Sequence, residues 1–206
     1  MDEARSIREF WFGRLPLSAD GLNRRIRFWF GGDATELGRL RDEHMRVRFG
    51  ELLEQAVSGG LANWADGPRR RLSLILLLDQ FPRNMFRGSP RAFAHDAQAL
   101  ALTLSGMQSA ADAALHTIER MFFYMPLQHA ESREVQDESV AAYRRLRTEA
   151  PQQLFGPFAG AARSANNHRA IIERFGRFPH RNQLLGREST PAEEEWLRKA
   201  GTSFPQ

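Results

Sequence analysis

Apolar residues recur at helical spacing from one end of this chain to the other, and strand-like alternation persists nowhere. A chain patterned this way can bury its apolar stripes only by packing helix on helix. The expected fold is therefore all-α, with antiparallel helix pairs joined by short turns in a superhelical bundle. No linker interrupts the pattern, so residues 1–206 are expected to form a single domain, with 190–206 as C-terminal helix and tail.

The helix ends are signalled by caps and breakers. Asp2 is expected to cap a first helix carrying Ile7, Phe10 and Trp11, stopped near Gly13. Leu22, Ile26, Trp29 and Phe30 mark a second, before Gly31 and Gly32. Asp33 is expected to open a longer one through Leu37, Leu40, Val47, Leu52 and Val57. From Asp66 as cap and Pro68 in the first turn, a helix runs through Leu72 and Leu74–Leu78, apolar on all sides and hence central. Pro82 is expected to end it. Ser89-Pro90, Ser109 and Ser132 introduce further helices, Gly106 and Pro126 break them, and Gly156-Pro157 interrupts a later stretch. Thr190-Pro191-Ala192-Glu193 has the form of a capping box with proline at the first helical position.

Composition removes several classes of function. With no cysteine, disulfides, thiolate metal sites and cysteine nucleophiles are excluded. The N-terminus lacks the basic-then-apolar pattern of a signal peptide, and runs such as Leu74–Leu78 fall far short of the roughly 20 residues that cross a bilayer. No membrane contact and a cytoplasmic location are expected. Lys199 is the sole lysine among 29 basic residues, but acids are interspersed and the net charge is only +4. Nucleic acid is therefore not an expected partner. Nucleotide-loop and serine-hydrolase motifs are absent, as are His-Glu-x-x-His and Glu-x-x-His, so neither a cofactor nor a metal is expected.

One pattern occurs twice. Phe81-Pro82-Arg83-Asn84 and Phe178-Pro179-His180-Arg181-Asn182 each follow an apolar helix, precede a Gly/Arg pair, and lead into a hydroxyl-proline pair. Two such helix–turn–helix units suggest a helical repeat. Their polar side chains exceed what turn geometry requires. Asp79, Arg83 and Asn84 surround the first; Arg177, His180, Arg181 and Asn182 surround the second; Arg120 and His168 lie in further polar stretches. Arginines beside helix ends supply bidentate donors, which makes these nine residues candidates for holding a small anionic ligand. The same residues can instead cap helix ends. His129 and Glu131, in the turn after Pro126, are the candidate acid/base pair.

Three segments carry a family resemblance: Leu77–Gly88 with Ala92–Asp96, Phe123–Ser132, and His168–Asn182. With the early Phe10-Trp11-Phe12-Gly13 and the later Trp29-Phe30, they resemble the signature of the DUF924 family, a bacterial domain of unknown function. The resemblance implies a tetratricopeptide-like helical fold and no established activity. Where members commonly carry an acid, this chain has Gln128. Two functions follow as expectations: a cleft for a small anionic ligand, with acid/base chemistry at His129 and Glu131, or a helical module whose groove takes a peptide or partner helix. For the second, Trp11, Phe12, Trp29 and Phe30 are the candidate apolar patch.

Overall fold

The computed structural model describes residues 2–30, 35–151 and 155–200, and among them there is no strand. The helices are α1 (Glu3–Phe12), α2 (Ala19–Phe30), α3 (Glu36–Val57), α4 (Pro68–Ile75), α5 (Phe81–Met85), α6 (Asp96–Gln108), α7 (Thr117–Phe123), α8 (Met125–His129), α9 (Arg133–Glu149), α10 (Phe155–Phe175) and α11 (Pro191–Ala200). Short 3-10 turns fill several of the connections.

The α1/α4 and α9/α10 pairs run antiparallel. Ser73 and Arg69 of α4 meet Ala4 and Arg8 of α1. On the other side Arg147 of α9 covers Phe155 of α10, while Arg133 reaches Glu173 at the opposite end. The expected central helix is central: Leu74, Ile75, Leu76, Leu77 and Leu78 are all buried, with α1, α6 and α7 packed against α4. Each such side chain contributes about 1.5–3 kcal/mol by leaving water.

Pro82 does not end that helix. Residues Leu76–Gln80 form a π-helical turn, in which the Phe81 N–H reaches the Leu76 carbonyl, and the chain continues as α5 with Pro82 in its first turn. The wider turn accommodates the proline ring and its missing N–H, which a regular α-turn cannot. Side chains bond the carbonyls of this turn: Arg83 donates to Asp79 O at 2.9 Å and Asn84 to Gln80 O at 2.8 Å.

Other ends also depart from expectation. Gly67, not Asp66, precedes α4, and Asp66 closes a 3-10 turn. Ser89 caps a 3-10 turn rather than an α-helix. His116, not Ser109, caps α7, in a reciprocal box with Glu119. Gly106 lies inside α6, and Pro157 lies within α10 rather than interrupting it. Along α3 the inward residues are Met45, Phe49, Leu52, Leu53 and Ala56, whereas Leu37, Leu40 and Val47 face outward. Asp33, with Gly31 and Gly32, lies outside the described residues; Thr35 caps α3 through its hydroxyl. The Thr190–Glu193 box forms as expected, with Glu193 accepting from Thr190 N–H at 2.7 Å and Thr190 accepting from Glu193 N–H at 3.3 Å.

The two Phe-Pro segments have different backbones. Phe81 is helical, while Phe178 is extended (φ −90°, ψ 104°) ahead of a 3-10 turn. They are nonetheless neighbours in space, because α6 begins at Asp96 between them.

Candidate functional site

The π-turn places Asp79 where no water reaches it: its side chain is 0% exposed. Its Oδ1 lies 2.6 Å from His129 Nδ1, and its Oδ2 accepts from Gln80 at 2.6 Å. Arg83 Nη1 is 3.3 Å from Oδ1. Burial alone would raise this carboxyl, but Arg83, His129 and Gln80 outweigh it and hold Asp79 well below the usual carboxylate range.

Arg83 also donates both terminal nitrogens to Asp96, at 2.8 and 2.9 Å. Asp96 in turn accepts from Arg181 at 3.2 Å. Arg181 is stacked between Phe93 and Phe178, 4.7 Å from each ring centre, and its Nε is buried without a hydrogen-bond partner. Burial and the nearby Arg83 lower its guanidinium to about 10. Two acids and two arginines thus form one chain whose formal charges cancel.

His129 is held from behind. It ends α8, and Gln136 of α9 donates its amide to the carbonyls of Leu127, Gln128 and Ala130, at 3.2, 2.9 and 2.8 Å. Those carbonyls are the orphans that a helix end leaves. One turn of α10 away from Ser164, His168 places its Nδ1 2.8 Å from the Ser164 carbonyl. Burial lowers His129, Arg83 adding to the effect. Burial also lowers His168 and His180 to about 4, with Arg181 contributing to both. All three imidazoles are neutral near pH 7.

These histidines line a pocket of about 610 Å³. Its polar lining is Gln128, His129, Arg163, Ser164, Asn167, His168 and His180; its apolar lining includes Trp29, Phe30, Met121, Met125 and Phe158, drawn from α2, α7, α8 and α10. Ser164 donates to Gln128 Oε1 at 3.0 Å. A second hollow of about 610 Å³ lies beside α1, where Arg5 pairs with Glu9 and Arg8 with Ser73 and two carbonyls. No group of three histidine or acidic side chains among the described residues is placed to hold a metal.

The candidate residues therefore divide. Asp79, Arg83, His129, His168, His180 and Arg181 come together. Asn84 lies elsewhere, accepting from Arg41 at 3.1 Å and Arg87 at 2.6 Å. Arg120 bonds the Tyr124 hydroxyl and Glu149. Arg177 clamps Glu193, at 2.7 and 2.8 Å, and Asn182 bonds Ser189 and Glu193. The expected His129–Glu131 pair does not form. Glu131 instead accepts from Phe178 N–H at 2.8 Å and from Arg187 at 2.7 and 3.0 Å, fixing the second Phe-Pro segment. Trp11, Phe12 and Trp29 are core, so the expected apolar patch reduces to Phe30.

Asp96 was not among the expected site residues, because an acid in the first turn of a helix reads as a partner for its dipole. Ser164 and Phe158 carry no local signal, since they become wall residues only where α10 meets α8.

A model of the family described as bacterial protein of unknown function (DUF924) matches residues 7–201. The chain is also similar to the solved structure of a protein of unknown function, ATU0120, from Agrobacterium tumefaciens. That likeness has 33% identity and a TM-score of 0.79, covering 96% of this chain and 97% of the other. No curated protein matches. The early Phe-Trp-Phe-Gly, the Asp79–Arg87 turn, the His129 segment and the His168–Asn182 segment all fall inside the matched span, and the chain belongs to the DUF924 family.

Proposed function

We propose that this protein binds a small organic molecule in the pocket between α2, α7, α8 and α10. The observation that carries the reading is the make-up of its lining: apolar side chains, aromatic and methionine prominent among them, predominate, and among the few polar groups is the His129 imidazole held by the buried Asp79. Few precisely placed polar groups in an otherwise apolar concavity are the usual make-up of a ligand site. The arginines expected to hold an anion each face a carboxylate of their own protein: Arg83 and Arg181 face Asp96, and Arg177 faces Glu193. Those pairs occupy the arginines expected to engage an anion, and the apolar lining favours a ligand that is largely apolar over phosphate or sulfate.

Nile red, an uncharged fluorophore of suitable size, tests this. Its emission should shift to the blue and saturate with wild-type protein. Ala161→Trp, which fills the pocket from α10, should abolish the shift while leaving the melting transition in place. Equal binding by both proteins would place the dye elsewhere and remove the proposal.

The partner-binding alternative draws on one observation, the outward apolar row Leu37, Leu40 and Val47 on α3. Leu40→Glu should then release any self-association or bound protein seen in sedimentation; identical sedimentation of both proteins in cell extract would leave that row without a role.

A further inference from the structure

We infer that the polar end of the ligand is an uncharged hydrogen-bond donor, a hydroxyl on an apolar and preferably flat body, its hydrogen received by Nε2 of His129. The inference rests on the pocket being the ligand site and names the chemistry that it selects.

In each ring the nitrogen bonded within the protein fixes the state of the other. His129 Nδ1 faces a carboxylate that cannot donate, since Asp79 is ionised and already paired with Arg83. The proton of the neutral ring must therefore sit on Nδ1, leaving a bare lone pair on Nε2. His168 Nδ1 lies 2.8 Å from the Ser164 carbonyl, which can only accept. Its proton is on Nδ1 as well, and its Nε2 is again a lone pair. Both rings line the same pocket, and neither Nε2 has a hydrogen-bond partner among the described residues. Gln128 Oε1, an acceptor in the same lining, is already taken by the Ser164 hydroxyl.

Two lone pairs in a largely apolar pocket determine what fits there. A carboxylate or phosphate would bring its own lone pairs against them. A protonated amine would donate, but it would add positive charge beside His129, where Arg83 already opposes a proton. Arg163 in the same lining adds to that repulsion. An apolar body alone would leave both acceptors buried and unsatisfied, which weakens binding. A hydroxyl gives its one hydrogen to one of these acceptors at no cost in charge, and Trp29, Phe30 and Phe158 offer ring faces and edges to a flat body. Asp79 strengthens His129 as the better acceptor of the two, because a developing positive charge on the ring is shared with a buried carboxylate.

The test compares two probes of one shape, β-naphthol and β-naphthyl methyl ether, by fluorescence titration at pH 7. Only the first carries the donor. Wild-type protein should bind the naphthol roughly tenfold more tightly than the ether, the margin of one well-made hydrogen bond. His129→Leu, or His129→Phe should the first not fold, checked for a cooperative melting transition, should narrow that margin. Equal affinity of wild type for the two probes overturns the inference and leaves the pocket proposal standing. Binding of neither probe overturns both. A full tenfold margin in a folded variant overturns the assignment of the acceptor.

Discussion

Asp79 is the residue on which the site turns. It is an ionised side chain with no access to solvent, and it is tolerated because Arg83, His129 and Gln80 each bond it. Removing it leaves Arg83 on Asp96 alone and takes away the group that orients His129. Asp79→Ala is therefore expected to cost about 3–5 kcal/mol in urea unfolding, the range for breaking a buried ion pair from one side. A loss below about 1 kcal/mol would mean that Asp79 is neither buried nor paired. At this scale the sequence carried the residue types well. Asp79, Arg83, His129 and Arg181 all stand out as more polarity than a turn requires. Their pairing did not: Glu131 lies two residues from His129 in a turn, which suggests a couple, yet Asp79 reaches the ring from 50 residues away.

Among the elements, the π-turn explains most of what sequence pattern misplaced. Proline predicts a stop, and nothing in the spacing of Leu74–Leu78 signals that one wide turn will let the helix pass. The turn re-aims Asp79 inward. Glycine misled in a related way at Gly106, which reads as a helix end but permits close packing inside α6. A Cβ there would lie 2.5 Å from the Phe123 ring and 2.8 Å from Arg71 Cδ. Phe123 is fully buried, and Arg71 is bonded to Leu102 O and Ser105, so neither moves freely. Gly106→Ala should lower stability by about 1–3 kcal/mol despite its better helix propensity. A stabilised variant in thermal melts would show that the contact relaxes at no cost. The α11 capping box, by contrast, was readable because both of its partners lie within one turn.

Across the whole molecule, the helical class and the central helix follow from hydrophobic spacing, but the pocket does not. Its wall is assembled from α2, α7, α8 and α10, and no segment alone signals a concavity. The same assembly makes stability depend on acid. His168 and His180 ordinarily titrate at 6.5 and are held near 4 in the native protein. Between those values the unfolded chain takes up protons that the native state refuses. Stability is thus whole above about pH 6.5 and falls as pH drops toward about 4, by at most about 1.4 kcal/mol per pH unit for each ring. Below that window the carboxylates held low, Asp79, Glu131 and Glu193, add a further loss as they protonate. Urea midpoints at pH 7, 5.5 and 4.5 check this, and a flat series would contradict the burial of the histidines.

The central claim is that Asp79 presents His129 to the pocket as a neutral ring with its proton on Nδ1. Nitrogen NMR of the histidine rings reads this directly at pH 7, with Asp79→Asn to assign the signals. The account predicts a protonated Nδ1 and a bare Nε2 for His129, with β-naphthol shifting the Nε2 resonance on binding. A ring protonated on both nitrogens, or one carrying its single proton on Nε2, would contradict it.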